Sequence, residues 1–274
     1  MAVVNCEAST GEYFVQLLKE VTEKLKLDIK KCIGNATDGA ANMQAKYKGF
    51  SNLLNQHSPN QIHVWCYAHI LNLVITDTTG GVLASASLFT LLNKIAVYIR
   101  ESYQRTNIWK KESHNICHKR LSIIGETWWW SKDAALKIFF GSFNKPGSAL
   151  YCEVILTLNA IRNLENIKYP ARIKAKGFIE TLLKYETILT AQIFLRIFEY
   201  TTPLSKYLQT SGMDILSANR MVVNTHDILQ NLKGDFNGVK DAADTFVKWA
   251  NDNLHEQLVN SNYHDDQDLE FVHL

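Results

Sequence analysis

Several things are scarce in this 274-residue sequence, and each scarcity excludes a class. No run of about 18 apolar residues occurs, so no membrane-crossing helix and no membrane partner is expected. Neither sign of charge prevails: 29 Lys and Arg face 27 Asp and Glu, a net charge of +2. That balance makes no strong case for nucleic acid, although it leaves room for a local basic face. Cysteine is sparse and scattered at Cys6, Cys32, Cys66, Cys117 and Cys152. An odd count without paired spacing reads as a reducing, intracellular compartment. The start Met1-Ala2-Val3-Val4-Asn5 has no basic region and no long apolar core, so it reads as no targeting signal. It reads instead as a chain entering a fold partway, on a short strand from Ala2 to Cys6. A Gly-rich phosphate loop, a Ser-His-Asp spacing and a heptad run are also missing, and no small-molecule substrate is expected.

What remains is ordinary globular material, 46% hydrophobic and 20% charged, long enough to bury a real core. Its first part alternates strand and helix. Ser9 or Thr10 caps a helix over 12–27, with Tyr13, Leu17, Leu18, Val21 and Leu25 at helical spacing. The segment from Asp28 to Gly34 turns into a brief strand that ends at Thr37-Asp38. Gly39 turns the chain, and a helix runs from Ala40 to about Gln56. Ile62, Val64 and Cys66 alternate with Gln61, His63 and Trp65, a strand pattern, and a helix follows from Ala68 to Asp77. The alternation predicts an α/β layer of about three strands over residues 1–81, with open edges that invite a partner.

From Val82 the strand signals fade, and residues 82–258 read as one all-helical domain. Helices are expected over 83–105, 132–139, 149–166 and 176–198, with one or two more over 216–253. Breaks are expected at Pro170 and Pro203. Residues 259–274 are polar and acidic, with Asp265, Asp266 and Asp268, and read as a disordered tail. The fold class is therefore α/β plus all-α, mostly α.

Few residues here carry chemistry. Asp38, at a strand end before a small-residue turn, is where a carboxylate is presented to a metal; Asp before Gly is equally a turn or cap residue. Cys66 and His69 stand three apart and make half a zinc site, or a packed thiol beside a hydrogen-bonded imidazole. Trp128, Trp129 and Trp130 offer a base-stacking platform, or core aromatics. The pairs Lys30-Lys31, Lys110-Lys111 and Lys119-Arg120 read as solvated faces, and Cys117-His118 as a loop pair.

Four segments in this order resemble the hAT-superfamily transposases, in the subgroup of zinc-finger MYM-type-like proteins and protein-kinase-inhibitor repressor relatives. They are Ser9-Thr10-Gly11-Glu12; Thr37-Asp38-Gly39-Ala40-Ala41-Asn42-Met43 with Gly49-Phe50; Trp65-Cys66-Tyr67-Ala68-His69 with Leu71-Asn72-Leu73; and Glu126-Thr127-Trp128-Trp129-Trp130-Ser131-Lys132. The resemblance implies a partial RNase H-like α/β core followed by a large helical insertion domain. In that family three acids hold two divalent ions, Mg²⁺ or Mn²⁺, for in-line attack at phosphorus. Asp38 matches the second acid, Cys66 and His69 the Cys-x-x-His element, and Trp129 the tryptophan that stacks on a displaced base. The family's arginine before that tryptophan is replaced by Trp128. The resemblance places the first acid on a strand ahead of Met1 and the third on a helix after the insertion. One acid of three does not hold two ions, so no metal, no cofactor and no catalysis are expected. The expectation is a domesticated or degenerate transposase fragment that binds protein or DNA in the nucleus. Two alternatives stand beside it: a transposase or nuclease completed by acids from a longer chain, and a protein-interaction or dimerisation module.

Overall fold

A computed structural model describes residues 4–113, 121, 124, 130–210 and 212–260. They form a mostly helical protein with one short parallel sheet. The chain divides into two compact units, Met1–Val74 and Ile75–Leu274.

In the first unit, α1 (Gly11–Lys24) begins where the sequence predicts, with the Tyr13 amide donating to Thr10 Oγ1 at 3.2 Å. Next come β1 (Gly34–Thr37), α2 (Ala41–Gln44), α3 (Phe50–Asn55), β2 (Ile62–Trp65) and α4 (Tyr67–Gly81). The unit boundary falls inside α4. β1 and β2 pair in parallel, from Gly34 opposite Ile62 to Thr37 opposite Trp65.

Two expectations need correction here. The sheet has two strands among the described residues, not three. Val4, Asn5 and Cys6 form no ladder, and the local bonds run from the Cys6 thiol to the Ala8 carbonyl and from the Glu7 amide to the Tyr13 hydroxyl. The helix expected over 40–56 is two short ones. Its middle folds back on itself: the Ser51 hydroxyl donates to the Met43 carbonyl at 2.9 Å, and the Asn52 amide to the Lys46 carbonyl. Gly49 makes that turn possible, because a Cβ there would stand 2.4 Å from the Ala45 amide nitrogen.

The second unit continues with α5 (Leu83–Arg100), α6 (Tyr103–Glu112), α7 (Trp130–Phe140), α8 (Tyr151–Asn163), α9 (Tyr169–Leu182), α10 (Tyr185–Leu208), α11 (Ile215–Leu232) and α12 (Phe236–Asn260). It contains no strand among its described residues, as the loss of alternation predicts. α8 is its centre, with every side chain from Tyr151 to Ile161 buried except Glu153. A helix apolar nearly all round must be enclosed by others. Rings from three helices meet on it. Phe246 of α12 stands 5.1 Å from Tyr151 and 5.5 Å from Phe140 of α7. Beside them, burial and the Glu153 charge push the Cys152 thiol up to about 12, so it is an inert packing group.

Helix ends in this unit differ from expectation for identifiable reasons. The helix over 83–105 breaks at Ser102, whose hydroxyl accepts from the Arg105 amide and starts α6. The helix over 176–198 is interrupted after Leu182. There the Tyr151 and Thr187 hydroxyls take the Leu182 and Thr181 carbonyls, at 2.8 and 2.7 Å. Pro203 does not end a helix but lies within α10. It sits on the exposed side, as does Glu199, whose carbonyl loses its usual amide partner to the proline. On the buried side, the Thr202 hydroxyl donates to the buried Asp133 carboxylate of α7 at 2.8 Å. No single helix among the described residues is long and apolar enough to cross a membrane.

Candidate functional site

The sequence-predicted centre is the carboxyl end of β1. Asp38 follows the strand directly and is exposed. Its Oδ1 accepts from the Ala40 amide at 3.1 Å, so the side chain closes the turn that leads into α2. Among the described residues, the neighbouring side chains are amides and imidazoles rather than carboxylates. His69 Nε2 and the Trp65 ring lie over Gly39, 3.8 and 3.7 Å from where a Cβ would stand. The structure thus brings the turn after Asp38 together with His69 of α4. Cys66, at the start of that helix, gives its amide to the Thr37 carbonyl at 2.8 Å and ties β2 to the end of β1. Its thiol is free and half-buried.

One face of the sheet carries a polar chain that was not anticipated as a unit. Asn35 and His63 are register partners, and His63 Nδ1 lies 2.6 Å from Asn35 Oδ1. Since that oxygen only accepts, His63 Nδ1 donates. His63 Nε2 then accepts from Gln44 Nε2 at 2.7 Å. The same Gln44 amide reaches Thr37 Oγ1 and the Asp38 carbonyl, at 2.9 and 3.1 Å. Asn35 Nδ2 donates in turn to Gln61, and Gln61 to the Ser51 carbonyl. This network fixes the backbone beneath Asp38 and satisfies both imidazole nitrogens. The signal in the sequence was the alternation of Gln61 and His63 with Ile62 and Val64, which marked a polar face.

The opposite face reverses the usual arrangement. Ile62 is 69% exposed and Val64 38%. Strand alternation normally turns the apolar residues inward; here the inward face is the polar one.

The donor set at Asp38 does not fit two divalent ions. Such a pair needs several carboxylates to offset its charge. Among the described residues, no group of three His, Cys, Asp or Glu side chains is placed to hold a metal. Cys66 and His69 accordingly gain no third or fourth ligand there. Trp129, Cys117, His118 and the acidic tail from Ser261 lie outside the described residues; Trp130 opens α7.

Several other described motif residues pack the first unit, while Glu126, Thr127 and Trp128 lie outside the described residues. Asn42 Nδ2 donates to Ser9 Oγ at 3.0 Å and also reaches the Ser9 carbonyl. Gly11 is buried, and a Cβ on it would stand 2.3 Å from the Lys48 carbonyl oxygen and 2.6 Å from the Phe50 nitrogen. Ser9, Gly11, Asn42, Gly49 and Phe50, far apart in sequence, build one junction between α1 and the α2–α3 turn.

No protein-family model matches the chain, and no solved structure does. The chain is 20% identical over 246 residues to the human protein named "52 kDa repressor of the inhibitor of the protein kinase". That match takes in 83% of the chain and 30% of the human protein.

Proposed function

We propose that this chain is a domesticated hAT-type transposase fragment that works as a non-catalytic regulatory binding module in the nucleus. The observation that carries the reading is the setting of Asp38: an exposed carboxylate used as a turn cap beside the Gln44 amide, in no metal-holding group among the described residues. The order β1, small-residue turn, helix, β2, helix is what a partial RNase H-like core would present. The repressor named in the human relative supports a regulatory role, and the all-helical second unit stands where the family's insertion domain would. Trp129 is the candidate for stacking on nucleic acid.

A plasmid-nicking assay with Mn²⁺ tests the absence of catalysis. The wild-type chain is expected to nick no faster than Asp38→Ala. Mn²⁺-dependent nicking that disappears in Asp38→Ala would instead establish the two-metal nuclease. A second reading, a protein-interaction module, is favoured by the exposed apolar face of Ile62 and Val64 on a sheet with open edges.

A further inference from the structure

We infer that a groove between α5 and α9 in the helical unit is the docking site for an acidic amphipathic helix of a partner protein. The inference rests on the binding-module reading and names the partner chemistry. Two helix stripes line the groove. From α5 come Ala86, Ser87, Thr90, Leu91 and Lys94; from α9 come Lys174, Gly177, Phe178 and Thr181. These repeat at three and four, so each helix offers one face along its length. One end is closed by Tyr98, whose hydroxyl donates to the Ala171 carbonyl at 2.8 Å and whose ring meets Phe178 edge-on at 5.4 Å. Beyond that junction the stripes bound a space of about 590 Å³. It is open along its length and so fits a rod better than an enclosed small molecule.

Floor and rim differ in chemistry. Leu91, Phe178 and Ala86 make the floor apolar, and Gly177 leaves it low, because a Cβ there would meet no atom within 4 Å. Lys94 and Lys174 stand on the rim, both exposed, and no carboxylate lines the groove among the described residues. Lys174 Nζ lies 5.5 Å from the Tyr98 ring centroid, and the Arg105 guanidinium lies 4.0 Å from the same centroid. Two cations therefore stand against aromatic faces at the closed end, Lys174 beside Tyr98 and Phe178 and Arg105 beside Tyr98, with Lys94 farther along the rim. An apolar floor with an uncompensated basic rim complements a helix whose apolar stripe is flanked by Asp or Glu. A phosphate chain would use the cations and leave the floor bare.

The test uses the full chain and a fluorescent helical peptide of about 16 residues, long enough to span the groove at 1.5 Å per residue. Its leucines repeat at three and four and its flanks are glutamates; a control carries lysines in place of the glutamates. The chain is expected to bind the glutamate peptide at least about tenfold more tightly than the lysine peptide, with the preference shrinking in salt. Gly177→Leu puts bulk into the groove from a Cβ that meets no atom within 4 Å and improves helix propensity, so the thermal midpoint is expected to be unchanged or higher. It and Lys94→Glu are each expected to weaken the glutamate peptide by about tenfold. Equal binding of the two peptides, or binding indifferent to Gly177→Leu, overturns the inference. So does a DNA duplex that binds the chain in competition with the peptide and is released by Lys94→Glu. Self-association of the chain lost in Gly177→Leu would assign the groove to a second copy, and also overturns it. None of these readouts depends on strand cleavage, so this inference and the absence of catalysis fail separately.

Discussion

Phe246→Ala is expected to destabilise the helical unit by about 3–5 kcal/mol, the range for truncating a large buried aromatic. The residue is 1% exposed and lies in a cluster of aromatic rings. Its ring contacts Tyr151 of α8, Phe140 of α7 and, one turn along α12, Trp249 at 5.4 Å. Tyr151 in turn holds the end of α9 through the Leu182 carbonyl. Removing the ring loses apolar transfer energy and leaves a cavity walled by groups that cannot collapse without breaking that hydrogen bond. For a unit of this size the thermal midpoint should fall by roughly 6–20 °C, read by the helical circular dichroism signal. Val222→Ala, on an exposed face of α11, should move it little. A Phe246→Ala midpoint within a degree or two of wild type would mean that α12 is not part of this core.

Gly11→Val is expected to act on the other unit. The added Cβ would enter a space already held by the Lys48 oxygen, the Phe50 nitrogen and the Asn42 oxygen at 2.3, 2.6 and 2.9 Å. All three are backbone atoms, so none can swing aside; α1 must lift off the α2–α3 turn. That breaks the Asn42–Ser9 hydrogen bonds and uncovers Phe14, Leu17 and Leu18, which line a cleft with Met43 and Phe50. Overpacking costs about 1–3 kcal/mol even where neighbours can shift, and here they are backbone. A unit of this size has little stability to spare. Hydrogen exchange should therefore show protection lost across residues 11–74 while α8, α10 and α12 keep theirs. Equal loss in both units would contradict the division into two, and no loss would contradict the close approach at Gly11.

These two sites show what the sequence makes legible. Apolar repeats at three and four locate α5, α8 and α12 because burial follows the helical period, and Thr10 is visible as a cap by its chemistry. Alternation identifies β2, yet not which face turns inward. The apolar face is bare because Asn35, Gln44 and Gln61 take the inner one through side-chain bonds between segments far apart in sequence. The turn inside residues 41–55 depends on backbone approach at Gly49, and the break after Leu182 on a hydroxyl 31 residues away. Neither leaves a local pattern. Pro203 misleads in the other direction, since a proline on the wet side of a well-packed helix need not end it. At the candidate site the local pattern puts Asp38 at a strand end, where it stands, whereas the Gln44–His63 support beneath it has no motif of its own.

The claim on which the functional account rests is that Asp38 closes a turn and holds no metal, and Mn²⁺ titration followed by electron paramagnetic resonance tests it most directly. The account predicts weak binding of the kind any exposed carboxylate gives, identical in the wild-type chain and in Asp38→Ala. A tight stoichiometric site with two coupled Mn²⁺ ions, abolished by Asp38→Ala, would contradict it.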